Sequence, residues 1–130
     1  MPRFSANISM LFKELDIVER FEAAKRAGFG AIEHGFPYET PVATLRSAKE
    51  DNGLDMTVLN VPAGDLAQGG PGLASMPGRE DDFKRALDQM LPYADSLRPG
   101  AVNVLPGSPP MDRFSRAQCL DVLAKNAALT

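Results

Sequence analysis

Apolar residues along the chain fall into two alternating kinds of run. The short β-prone stretches Arg3-Phe4-Ser5-Ala6-Asn7, Ala31-Ile32-Glu33, Thr57-Val58-Leu59-Asn60 and Ala101-Val102-Asn103 each end on a polar side chain just before a turn. A segment with helical spacing follows each of them. This rhythm predicts an α/β fold of four βα units in strand order one to four, with parallel strands whose C-terminal ends point one way. Asn7, Glu33, Asn60 and Asn103 are then expected to converge on the face where ligands bind in parallel α/β folds.

The helices carry their own punctuation. Asp16 with Glu19 forms a capping-box pattern, Gly28 suits a left-handed stop, and Ile17, Phe21 and Ala24 fall on one face between them. Thr40-Pro41 opens a second, short helix with Val42 and Leu45 inward and Gly53 at its end. A third is expected from Arg79 or Glu80, with acidic residues in its first turn and an apolar face of Phe83, Leu87, Met90 and Leu91; Pro92 should kink or loosen it. Ser115 with Gln118 repeats the capping box and opens a fourth, carrying Leu120, Leu123 and Ala127. The segment from Pro62 to Gly78 is long, irregular and rich in glycine, and begins at a strand end. That leaves two readings open, a lid that orders over substrate and a plain surface loop.

Composition narrows the class. The chain has 130 residues, 44% of them hydrophobic and 24% charged, which is ordinary for a globular protein and predicts a single domain over residues 1–130. A net charge of −3 with scattered basic residues gives no attraction to phosphate backbones or anionic lipid, so neither nucleic acid nor membrane is an expected partner. No stretch approaches a membrane span or a signal peptide, and a cytoplasmic location is expected. Cys119 is the only cysteine, which excludes an internal disulfide and predicts a small buried helix residue. A complete eight-stranded βα barrel takes about 250 residues, so this chain can supply about half of one.

Among the strand-end residues, Glu33 has the widest chemistry: a carboxylate there can act as a base, hold a hydroxyl or ligate a metal. His34, the single histidine, is expected to point away from Glu33 because strand side chains alternate. Asn7, Asn60 and Asn103 offer donors and acceptors suited to a polyhydroxylated, carbonyl-bearing small molecule. Their alternative role is to bond neighbouring loop backbone. Asp65 and Arg79 bracket the long loop, where Arg79 could pair with a substrate carboxylate or with an acidic residue at the helix start. The chain lacks G-x-G-x-x-G, a P-loop, H-E-x-x-H and G-x-S-x-G, which disfavours a doubly wound nucleotide-binding domain and the common hydrolases. Glu33 alone cannot make a metal site.

Five pieces in order, Phe4-Ser5-Ala6-Asn7 with Met10-Leu11-Phe12, Phe36-Pro37-Tyr38, Asn60-Val61-Pro62-Ala63-Gly64-Asp65, Pro77-Gly78-Arg79-Glu80 and Val102-Asn103, resemble the N-terminal half of the hydroxypyruvate isomerase family, within the xylose-isomerase-like TIM barrels. The resemblance implies a (β/α)8 parent fold, here as a half barrel. It implies isomerisation of a small hydroxy-keto acid, hydroxypyruvate or a 2-oxo-tetronate, with Asn7, Glu33, Asn60, Asn103, Asp65 and Arg79 on the substrate side. The family's two catalytic glutamates and its ligands for a divalent metal, Mg2+ or Mn2+, lie on strands of the second half, beyond Thr130, so no metal is expected on this chain alone. The chain departs from the family pattern at Leu66, where relatives commonly carry tryptophan, at His34-Gly35, where they carry an aromatic or large apolar residue, and at Leu59, where histidine is common. A half barrel leaves strand edges and an inner face uncovered, which predicts self-association or a complementary half barrel. A non-catalytic remnant or small-molecule-binding half barrel is the alternative to an enzyme.

Overall fold

The structure is a computed structural model that describes residues 2–130. Strands β1 (Ser5–Asn7), β2 (Ala31–Glu33), β3 (Asp55–Met56), β4 (Val58–Asn60) and β5 (Ala101–Asn103) alternate with helices α1 (Ile17–Arg26), α2 (Val42–Asp51), α3 (Glu80–Leu97) and α4 (Arg116–Ala127). One sheet has the order β1-β2-β3, parallel throughout, and β4 pairs with β5. The third strand of the expected four is divided at Thr57, which makes β3 and β4 two parts of one βα unit. The reason lies in burial: Met56 and Leu59 are both buried although three residues apart, and a regular strand would turn them to opposite faces.

Two compact units make up the chain: Met1–Leu59 with Leu91–Val102, and Asn60–Met90 with Asn103–Thr130. In the first, Ala6, Ile32 and Met56 of the sheet pack on Phe21 and Ala24 of α1, Leu45 and Ala48 of α2, and Leu97 of α3. Helix α1 starts as its sequence requires, with the Asp16 N–H donating to Glu19 Oε2 at 3.1 Å. Gly28 follows its end at φ 90° and Gly53 follows α2 at φ 57°, each in the left-handed region where glycine is least strained. The Tyr93 hydroxyl donates to the Thr40 carbonyl at 2.9 Å, and its ring meets Tyr38 edge-on with centroids 5.0 Å apart.

In the second unit Phe83, Ala86, Leu87 and Met90 are the buried face of α3. Leu91, expected beside them, lies eight residues past Phe83 at the rim of that face and is 56% exposed. The helix runs unbroken through Pro92 to Leu97. Helix α4 opens on the expected box, with Gln118 N–H donating to Ser115 Oγ at 3.3 Å and Ser115 N–H to Gln118 Oε1 at 2.8 Å. Its buried row is Cys119, Val122 and Asn126 rather than Leu120, Leu123 and Ala127, a turn of one residue about the helix axis. Cys119 is buried, as its sequence context predicts.

The long irregular segment contains a short 3-10 turn, Leu66–Gln68, and is anchored along its second half. Leu73, Ala74 and Ser75 are buried. The Ser75 N–H and hydroxyl both donate to the Pro106 carbonyl, at 3.1 and 2.6 Å, and the Ser108 N–H donates to the Pro71 carbonyl at 2.9 Å. Gly64 serves close packing: a Cβ there would stand 2.9 Å from the Leu73 side chain. Among the described residues no helix is long and apolar enough to cross a membrane.

Candidate functional site

Parallel pairing in register sets Asn7 beside Glu33 and Ala6 beside Ile32. Ala6 and Ile32 are buried in the core, so alternation turns Asn7 and Glu33 together to the opposite face of the sheet. Asn7 Nδ2 donates to Glu33 Oε1, and Asn7 Oδ1 accepts the Ser9 N–H at 3.0 Å. The chain leaves β1 in a tight turn, with the N–H groups of Met10 and Leu11 both donating to the Asn7 carbonyl. Phe12 then takes φ 60°, a left-handed backbone that costs a bulky residue energy and that concentrates near functional sites. Nothing in the sequence signals that strain.

His34 follows Glu33 and is partly buried. Its Nδ1 lies 3.1 Å from Ser9 Oγ, which also accepts the Gly35 N–H at 2.9 Å. Burial, and then the nearby Arg20 guanidinium, lower its pKa to about 4, so the ring is neutral near pH 7. Arg20 donates to the carbonyls of Leu15 and Ile8, at 2.9 and 3.0 Å, and so fastens the loop between β1 and α1. Sequence reasoning missed Ser9. The only available signal was its position two residues after Asn7, the spacing at which an asparagine side chain bonds backbone N–H.

In the second unit Asn103 Nδ2 donates to Asn60 Oδ1 at 3.0 Å, and the Val61 N–H donates to the Asn103 carbonyl at 2.9 Å. Asp65 organises the loop that follows. Its Oδ1 accepts the Gly72 N–H at 3.1 Å, and its carbonyl accepts the N–H groups of Gln68 and Gly70. Arg79 reaches Asp82 Oδ2 at 2.8 Å, both Asp65 oxygens at 3.4 Å and the Gly72 carbonyl at 3.5 Å. Arg79 thus bonds a helix-start carboxylate while spanning the base of the loop. The six residues singled out by sequence therefore meet in three pairs: Asn7 with Glu33, Asn60 with Asn103, and Asp65 with Arg79.

Among the described residues no three of His, Cys, Asp and Glu gather closely enough to hold a metal ion. A cavity of about 780 Å³, lined in part by Arg3, Phe4, Phe29 and Asp55, opens at the N-terminal ends of β1, β2 and β3. That is the end of these strands opposite to Asn7 and Glu33.

The profile of the xylose isomerase-like TIM barrel family matches residues 21–129. The chain is 41% identical over 128 residues to a 2-oxo-tetronate isomerase of Cupriavidus necator, covering 98% of this chain and 49% of that protein. It is 41% identical over 126 residues to the hydroxypyruvate isomerase of Escherichia coli, covering 97% and 48%. Its structure is similar to the crystal structure of AP endonuclease, family 2 from Brucella melitensis, with a TM-score of 0.88 and 34% identity over 97% of this chain and 48% of that one. The chain thus spans about half the length of the curated relatives it matches. Four βα units with parallel strands and a family match over most of the sequence lead to one conclusion: the chain belongs to the xylose isomerase-like TIM barrel family.

Proposed function

We propose that residues 1–130 act as one barrel-type domain, the N-terminal half of a hydroxypyruvate-isomerase-like sugar-acid isomerase, whose strand tips help to hold a small hydroxy-keto acid. The observation that carries this reading is the Asn7–Glu33 pair on adjacent parallel strand ends, in a chain whose similar relatives are named 2-oxo-tetronate and hydroxypyruvate isomerases. Such an isomerisation moves a proton between adjacent carbons and exchanges a carbonyl with a hydroxyl, with no net oxidation. A carboxylate held by an amide donor suits the substrate hydroxyl, and amide groups suit the carbonyl. Asn60 and Asn103 are proposed as substrate-side groups of the second unit, with Asp65 and Arg79 contributing by shaping the loop after β4.

In this reading the acid, the base and the metal ligands come from strands outside this chain, and the described residues alone do not fit a divalent cation. Strand β1 is the outer strand of its sheet, and Phe4 and Met10 beside it are 69% and 73% exposed. A second copy or a complementary half barrel would cover them, and sedimentation of the chain across a concentration series tests for the second copy.

The deciding experiment offers hydroxypyruvate and 2-oxo-tetronate to the chain with Mg2+ or Mn2+ and follows both binding and turnover. Binding that Glu33→Gln weakens roughly tenfold, the worth of one charge-assisted hydrogen bond, supports the substrate-side role. Turnover in addition makes the chain an enzyme, whereas binding without turnover makes it a small-molecule-binding half barrel. Absence of binding at millimolar concentration overturns the proposal.

A further inference from the structure

A side-chain amide beside a carboxylate can present either end to it, and only the nitrogen attracts. At Asn7 the choice is made outside the pair. The Ser9 N–H donates to Asn7 Oδ1 at 3.0 Å, which commits the oxygen and leaves Nδ2 for Glu33. Ser9 in turn is fastened to the end of β2. Its Oγ accepts the Gly35 N–H at 2.9 Å and stands 3.1 Å from His34 Nδ1. With Gly35 occupying an oxygen lone pair, the hydroxyl hydrogen is placed to go to Nδ1, which requires a neutral ring carrying its hydrogen on Nε2. The charged group that acts on the ring is Arg20, reaching from α1; the first βα loop contributes the uncharged Ser9, and Glu33, the preceding residue on β2, alternates to the other face. Burial and Arg20 both favour the neutral ring.

We infer that Ser9 and His34 are positioning residues, which tie the loop after β1 to the end of β2 and thereby hold the Asn7 amide with its nitrogen toward Glu33. The use of that orientation, to receive a hydroxy-keto acid, rests on the proposed function. The orientation itself does not.

Because His34 is the only histidine of the chain, nitrogen NMR of the intact protein reads its ring without overlap. At pH 7 the ring should be neutral, with its hydrogen on Nε2. In Ser9→Ala the Nδ1 resonance should move, and the Asn7 side-chain NH2 should shift and exchange about fivefold faster, the equivalent of one ordinary hydrogen bond. Ser9→Thr, which keeps the hydroxyl, should restore both signals. His34→Phe should move the Asn7 amide the same way but less, since the Ser9 hydroxyl still accepts the Gly35 N–H. If Ser9→Ala does not fold, acidification of Glu33→Gln gives the same reading, because with no carboxylate at position 33 the Asn7 amide should titrate together with the His34 ring alone. A ring hydrogen on Nδ1, or an Asn7 amide that follows neither Ser9→Ala nor His34 protonation, overturns the inference. A chain that behaves as expected here and yet binds no hydroxypyruvate defeats the proposed function and leaves the positioning intact.

Discussion

The side-chain amide of Asn126, on α4, donates to the carbonyl oxygen of Ala74 at 2.9 Å, joining residues 52 positions apart, and Asn126 is only 2% exposed. A buried carbonyl that loses its donor retains its full desolvation cost. Asn126→Ala is therefore expected to destabilise the protein by about 1–3 kcal/mol. Asn126→Leu, although apolar and similar in size, should not recover that loss. Urea denaturation of the two variants checks both statements, and a stabilised leucine variant would mean that water already serves the carbonyl.

The same unit depends on a close backbone approach at Gly107. Its φ is 87°, and a Cβ built there would stand 2.3 Å from the Pro71 carbonyl oxygen. Gly69 has a similar φ of 83° with nothing within 4 Å of its Cβ position. Gly69→Ala should therefore cost only the left-handed strain, about 1–2 kcal/mol. Gly107→Ala must in addition push two backbone segments apart, so its loss should exceed that of Gly69→Ala by at least about 1 kcal/mol. Equal losses would show that the two segments move apart freely.

Stability should also fall on acidification in a way that His34 controls. The folded-state pKa is about 4, against 6.5 for the free side chain. Between these values the unfolded chain takes up a proton that the folded chain does not, so stability is lost as pH falls from 6.5 to about 4 and is unaffected by this group above that window. The burial that lowers the pKa is incomplete, and the loss should be on the order of 2 kcal/mol. His34→Phe removes it. The difference in stability between the two proteins, followed by denaturation from pH 7 to pH 4, should change across that window and nowhere above it.

What the sequence reveals follows the range of the interactions involved. Both capping boxes, the stops at Gly28 and Gly53, and the placing of Asn7 and Glu33 at strand ends rest on residues within one element or on strict alternation, and each can be read from a few neighbours. The face of α4 cannot. Leu120, Leu123 and Ala127 are a more apolar row at the same spacing as Cys119, Val122 and Asn126, and the buried row is the one whose Asn126 meets the Ala74 carbonyl, which no helical period announces. The glycine-rich segment is opaque for a related reason. Gly64 and Gly72 within it, and Gly107 in the loop after β5, make close contacts, and the bonds to Pro106 and Pro71 that fasten the segment join positions far apart in the chain. His34 stands out as the single histidine, but Ser9 does not, because its bond to the ring needs the two loops side by side.

The division of the third strand at Thr57 offers the sharpest separation of polar from apolar contributions. The Thr57 hydroxyl donates to the Ile32 carbonyl at 3.0 Å and lies 2.9 Å from the Ser5 hydroxyl, while the Thr57 N–H donates to that same carbonyl at 2.8 Å. Removing the hydroxyl therefore leaves Ile32 with a donor, and Ser5, which is exposed, can turn to water. Thr57→Val should accordingly cost about 1 kcal/mol or less. Met56 and Leu59, on either side, fill the core at a spacing a regular strand cannot reach, and Met56→Ala and Leu59→Ala should each cost about 2–5 kcal/mol. If Thr57→Val proved as damaging as either of these, the hydroxyl rather than the packing of Met56 and Leu59 would be what breaks the strand.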